Sequence, residues 1–354
     1  VTASQDVDDK EVSHMSKYSI ILGNLGNTCD RFLSSGYKDE LPKETLIRQA
    51  SEIEGVTGVE LVGTWDVSPD NVDKVGELLD KYGLQCVSII PDHFSQKRWG
   101  RGSLAAKDPE IRKQSLEYTF ECVEMARKLG CGTLNIWPGQ DGYDYVLQSN
   151  LVQERNYLME NIKKVAASAP DIKFALEYKP KEPRNFSFMA RASDTLLLAK
   201  ETGLDNVGVC IDTGHAFVAG ENVAESVVIL QEYGRKLFHM HFNDNYGSWD
   251  DDMIVGSVHF PLYVETLFWL KETGYNGWFS MDQYPYREDG QGALRESVEF
   301  LLMIENRLTP TVMEEIRELV ATGDAVKTQR WLRHTFFTQN SPYREKPRNS
   351  STIR

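Results

Sequence analysis

Apolar and polar positions alternate in a repeating rhythm from residue 18 onward. Tyr18–Leu25 reads as a strand and Pro42–Glu54 as a helix. The same pair recurs: strand Gly58–Val62 with helix Pro69–Tyr82, strand Gln85–Ile90 with helix Pro109–Leu129, and strand Thr133–Trp137 with helix Leu151–Ala169. It continues with strand Lys173–Glu177 and helix Ala192–Thr202, strand Val207–Asp212 and helix Val223–Tyr233, strand Leu237–Asn243 and helix Leu262–Thr273, and strand Gly277–Asp282 and helix Ala293–Glu305. The strands are mostly continuous apolar runs, as expected of parallel strands buried on both faces. Punctuation agrees: Pro69 opens one helix and Gly83 follows its end, while Asp108 and Gly130 bracket another. Eight strand–helix units predict an α/β fold, a closed (β/α)8 TIM barrel over 18–307, with an open doubly wound sheet as the runner-up.

The ends of the chain differ from this pattern. Residues 1–17 are polar and expected to be loose. Ser13-His14-Met15 is consistent with an appended junction before a native start at Met15, so the segment is left out of the fold. Residues 308–354 read as a helical extension, with patterns over Val312–Val320 and Ala325–Phe337 and a polar, basic tail from 339.

The ends of the last four strands carry the chemistry. Glu177, Asp212, His241 and Asp282 each stand at or near the close of one strand, and in such barrels the strand C-termini form the active site. Carboxylates with one imidazole make a mixed oxygen and nitrogen set, which suits Mn²⁺, Co²⁺ or Mg²⁺ better than a structural zinc. His215 lies three residues after Asp212, and Asp250 and Asp252 follow the seventh strand; together they could hold a second ion near the first with Asp212 or Asp282 as bridge, so one or two ions are expected. Lys179 lies two residues from Glu177 and shares its strand face, from which it would reach a substrate oxygen. Trp137, Trp249, His93 and Asn24 are the candidate substrate contacts, and His239 is placed behind His241. Glu177, Lys179, His215 and Asp282 are the candidate catalytic groups.

Composition narrows the partners. The net charge of −14 argues against a nucleic-acid backbone. No G-x-G-x-x-G follows the first strand, so no dinucleotide is expected. The five cysteines show no C-x-x-C pair and read as small buried thiols in a reducing compartment. No apolar run approaches a membrane span and no signal-like order opens the chain, so a cytoplasmic setting is expected.

These residues sit in segments that resemble the xylose isomerase-like TIM barrel superfamily, which includes xylose isomerase, L-rhamnose isomerases, ketose 3-epimerases and endonuclease IV. Trp137-Pro138-Gly139-Gln140-Asp141-Gly142-Tyr143, Leu176-Glu177-Tyr178-Lys179-Pro180-Lys181-Glu182-Pro183 and Ile211-Asp212-Thr213-Gly214-His215-Ala216 are similar to xylose isomerase runs. The His241 to Asp252 segment and Met281-Asp282-Gln283 look closer to rhamnose isomerases. The resemblance implies a first metal on Glu177, Asp212, His241 and Asp282 and a second on Asp212, His215, Asp250 and Asp252. It implies an aldose–ketose isomerase acting by metal-polarised enolisation or hydride shift. Two departures matter. Gln140-Asp141 replaces an Arg-Glu pair, and Asp282 stands where ketose 3-epimerases use a Glu, which weakens a 3-epimerase reading. A lyase on 3-keto glycosides, like the catalytic subunits of C-glycoside deglycosidases, remains open. The expected partners are thus a small sugar or keto-glycoside, further copies of the chain, and, for a lyase, a small second subunit.

Overall fold

The computed structural model describes residues 16–29 and 32–337. The expected loose segment lies outside these residues except for Ser16 and Lys17, and so does the polar tail. The strands are β1 Lys17–Ile21, β2 Val56–Val62, β3 Gln85–Ile90, β4 Thr133–Ile136, β5 Lys173–Glu177, β6 Val207–Asp212, β7 Leu237–Phe242 and β8 Trp278–Met281. All eight pair in parallel and in chain order, and β8 pairs back to β1, so the sheet closes into a barrel. The open-sheet alternative is thereby excluded.

The helices α1 Lys43–Ser51, α2 Val72–Tyr82, α3 Pro109–Lys128, α4 Leu151–Ser168, α5 Ala192–Glu201, α6 Val223–Val228, α7 Phe260–Glu272 and α8 Gly290–Arg307 alternate with the strands. Each buries one stripe: α2 does so with Val72, Val75 and Leu79. It ends because Gly83 adopts φ +69°, a left-handed turn that costs other residues strain. The Asp108 side chain accepts from Glu110 N and Pro109 fills the first turn of α3. Buried apolar side chains such as Val72, Val75 and Leu79 each contribute on the order of 1.5–3 kcal/mol. From Asn306 onward the chain forms a second unit, containing α9 Pro310–Thr322 and α10 Ala325–Phe337. No helix among the described residues is long and apolar enough to cross a membrane.

The first strand corrects the sequence reading. β1 stops at Ile21, and Leu22–Leu25 forms a 3-10 turn. Asn24 is buried there, and its Oδ1 accepts from Gln283 N at 3.3 Å. It ties the end of β1 to the loop after β8 and does not line the cavity expected to hold substrate. Two features carry too few residues for a periodic signal: the strand pair Gly142–Tyr143 with Phe186–Ser187, and the short helix Thr213–Val218.

Candidate metal centre

Strand register brings the four ligand-type side chains together. Asp212 pairs with His241, His241 with Ser280, and Glu177 with Cys210. Inward-facing side chains at matching heights therefore meet at the carboxyl end of β5 to β8. One ligand atom each from Glu177, Asp212, His241 and Asp282 lie within 4.8 Å of one another. Asp212 is fixed twice: Oδ1 caps the following short helix by accepting from His215 N at 2.8 Å, and Oδ2 accepts from Asn243 Nδ2 at 2.7 Å. Gly214 is required in that turn, since a Cβ there would lie 1.9 Å from Asn243 Oδ1. Glu177 Oε2 accepts from Asn135 Nδ2 at 2.6 Å.

A cation suits this arrangement. His241 Nδ1 lies 3.2 Å from Asp282 Oδ2 and 3.5 Å from Glu177 Oε2. Yet Nδ1 is buried without a hydrogen-bond partner, as is Asp282 Oδ1. Buried carboxylates gathered around one point are costly unless a positive charge lies between them. Burial also lifts the Asp212 carboxyl to about 7; Asp250, Asp282 and Glu177 add to the shift while His215 opposes it. Burial raises Asp282 likewise. Glu177 goes the other way: burial would raise it, but His241 and His215 outweigh that and hold it well below the usual carboxylate range.

Asp212, His215 and Asp250 form a second group of possible ligands. Here a cation is already present. Lys179 Nζ lies 2.7 Å from Asp250 Oδ2, and His215 Nε2 lies 3.0 Å from the same oxygen. Lys179 also reaches Glu182 at 3.0 Å and sits 5.0 Å above the Trp137 ring. Asp252 lines the cavity but belongs to neither group.

The cavity above these residues measures about 1130 Å³. Trp137 and Trp249 line it, together with Glu177, Lys179, His215, Asp250 and Asp282. Trp137 stacks on His215 with ring centroids 6.4 Å apart. His93 is a correction: it is fully buried, with Nε2 at 3.3 Å from both Ser115 O and Thr119 Oγ1 of α3, and it does not line the cavity. Its place is taken by the next residue, Phe94, which with Trp65 and Trp137 forms a row of rings at 5.6 and 4.7 Å. Of the pair that replaces Arg-Glu, Gln140 lines the cavity. Asp141 is buried and accepts from Ser103 N and Oγ at 2.6 and 2.9 Å.

One charged residue escaped the sequence reading. Glu60, in the middle of β2, is fully buried and contacts His239 Nε2 at 2.8 Å and His241 Nε2 at 3.2 Å. A lone Glu inside the apolar run Gly58-Val59-Glu60-Leu61-Val62 was the available signal.

Fold and site define the class: a (β/α)8 barrel with its ligand-type residues at the strand C-termini. The xylose isomerase-like TIM barrel family model matches residues 47–303, and the chain belongs to that family. It is an enzyme of the xylose isomerase-like superfamily. Xylose isomerase of Thermus thermophilus is 26% identical over 324 residues, which are 86% of this chain and 83% of that one. A probable sugar isomerase of Mesorhizobium japonicum is 32% identical over 55% of this chain, and the match spans only 45% of that relative's length. Among solved structures, a D-tagatose 3-epimerase-like protein superposes with TM-score 0.64 at 24% identity, covering 83% of this chain and all of its own; at that identity the likeness speaks for the fold.

Proposed function

We propose that the chain is a divalent-cation-dependent sugar isomerase that moves a proton between the carbons beside a sugar carbonyl. The observation that carries this reading is the unpartnered Nδ1 of His241, which faces the same point as Glu177, Asp212 and Asp282. Those four residues would hold Mn²⁺, Co²⁺ or Mg²⁺. Bound there, such an ion supplies Lewis-acid polarisation of a carbonyl and of its neighbouring hydroxyl. Glu177 and Asp282 flank His241 Nδ1 from two sides, so one carboxylate can take the proton α to the carbonyl and either can return one. Return to the neighbouring carbon interconverts aldose and ketose. Return to the same carbon from the opposite face gives an epimer. Lys179 and His215, held together on Asp250, would orient substrate oxygens. Because their charge already sits on the second group, the proton route with one ion is favoured over a two-ion hydride shift.

Cavity size supports a second reading. About 1130 Å³ exceeds the ~300–1,000 Å³ typical of small-molecule pockets. A 3-keto glycoside would fit the same chemistry: removal of the α proton, then departure of the aglycone with the bonding pair of the glycosidic bond. In that case the chain would be the catalytic subunit of a lyase.

One experiment tests both readings. The purified protein is dialysed against a chelator, then assayed with added Mn²⁺ or Co²⁺ on free aldoses and ketoses and on 3-keto glycosides. Loss and recovery of activity on free sugars is the expected result, and recovery only on keto-glycosides selects the lyase. Full activity after the ion has been stripped would sink the metal reading.

A further inference from the structure

Glu60 lies one inward-facing residue below Val62, under the floor of the cavity. Three donors converge on it. Oε1 is 2.8 Å from His239 Nε2 and 3.2 Å from His241 Nε2, while Oε2 is 3.4 Å from His241 Nε2 and accepts from Ser88 Oγ. An ionised carboxylate only accepts, and a neutral imidazole donates from one nitrogen alone. Each histidine must therefore give its Nε2–H to Glu60. With a cation bound, a neutral His241 would then carry its lone pair on Nδ1, the nitrogen that faces Glu177 and Asp282.

We propose that Glu60, braced by His239 and Ser88, is a positioning residue that fixes His241 as the Nε2–H tautomer and aims its Nδ1 lone pair at the cation. The role rests on the metal reading given above. Partners of this kind set a ligand's ring orientation and raise its basicity. Glu60, His239 and His241 also have the makings of an ion site of their own. Against that, each contact is already spanned by a donor, and all three residues are at most 2% exposed. The pairing register explains the geometry: Glu60 pairs with Ser88 on β3 and with Ile21 on β1, and His239 and His241 reach it across the barrel from β7.

The test is Mn²⁺ binding to wild type, Glu60→Gln and Glu60→Asp by calorimetry, with ¹⁵N imidazole spectra of the Mg²⁺-loaded wild type. A glutamine can donate to Nε2 and so favours the wrong tautomer. Glu60→Gln should bind Mn²⁺ about 10–100-fold more weakly, and Glu60→Asp should recover part of the loss. The ¹⁵N spectrum should place the His241 proton on Nε2. A wild type that takes up no Mn²⁺ overturns the metal reading and this role with it. A wild type that binds, beside a Glu60→Gln protein within twofold of it, overturns the positioning role alone, as does a proton found on Nδ1. Should Glu60→Gln fail to fold, Ser88→Ala keeps the carboxylate and both rings; a several-fold loss is then expected, and an unchanged affinity counts against the role.

Discussion

Going round the barrel mouth, the strands fall into two halves. β1, β2, β3 and β4 close on Ile21, Val62, Ile90 and Ile136. β5 and β6 close on Glu177 and Asp212, β7 carries His241 one residue before its end, and Asp282 directly follows β8. On the first side Ile21, Val62 and Ile90 pack as one apolar cluster against Phe94, and all four line the cavity. On the second side buried carboxylates and histidines face the same space. The contrast separates two tasks. Charged groups can polarise and move protons, whereas an apolar wall only sorts what lies against it. A hydroxyl held against Ile21, Val62 and Ile90 would lose its water without gaining a partner. On the proposed reading, a C–H-rich or aromatic face of the substrate would lie against this apolar side.

The largest effect should come from the charged half. On the proposed reading, Glu177→Gln removes both a cation ligand and a proton-transfer group. We expect kcat to fall by about 10²–10⁴-fold, with Mn²⁺ uptake weakened in parallel, measured by steady-state assay and equilibrium dialysis. A variant with wild-type kcat would remove the division of labour, since the charged half would then be ornamental.

The apolar half should instead reveal itself in stability against acid. Burial pushes the His93 imidazole down to about 4 from an ordinary value near 6.5. Between those values the unfolded chain holds a proton that the folded chain lacks, so stability is lost as pH falls from about 6.5 towards 4. The full window corresponds to about 3 kcal/mol as an upper figure. Other groups add slopes of their own, so the readout is a difference: denaturant unfolding of wild type and His93→Leu at pH 7 and pH 4.5. The variant should lose less stability on acidification, and parallel slopes for the two proteins would refute the claim.

Much of this was legible in the residues, and the physical reason is periodicity. Strand ends carrying Glu177, Asp212, His241 and Asp282 stood out because charge at the close of an apolar run breaks a pattern. The opposite half was equally visible yet silent, because Ile21, Val62 and Ile90 continue the pattern without a break. Glu60 could be read only as an exception within a strand; its partners His239 and His241 lie 179 and 181 residues away, a separation that only barrel closure shortens. His93 and Phe94 show a different limit. Both follow β3, and the choice of which ring enters the cavity depends on the Pro91-Asp92 turn. Asp92 accepts from Ser95 N and Oγ at 2.8 and 2.7 Å, and its carbonyl accepts from Trp99 Nε1 at 2.8 Å. Those bonds direct His93 into α3 and leave Phe94 facing the cavity, a one-residue choice that hydropathy does not register.

The smallest effect bears most directly on what the apolar half selects. Phe94 lies tilted on Trp137 at 4.7 Å and meets Trp65 edge-on at 5.6 Å, so its removal opens a gap in the ring row without touching a ligand-type residue. An aromatic contact of this kind is worth about 0.5–1.5 kcal/mol beyond the area it covers. Phe94→Ala should therefore raise KM about 3–10-fold for a substrate bearing an aryl or other apolar substituent, with kcat nearly unchanged. A bare monosaccharide, too small to reach both walls of a cavity of about 1130 Å³, should show little change. Measuring both substrates on the one variant sets the two readings of the site against each other. A loss confined to the substituted compound supports the glycoside-sized substrate. Equal losses on both would mean that the sugar itself leans on the ring row, which favours the free-sugar isomerase. Unchanged KM for both would show that the apolar half serves the fold alone.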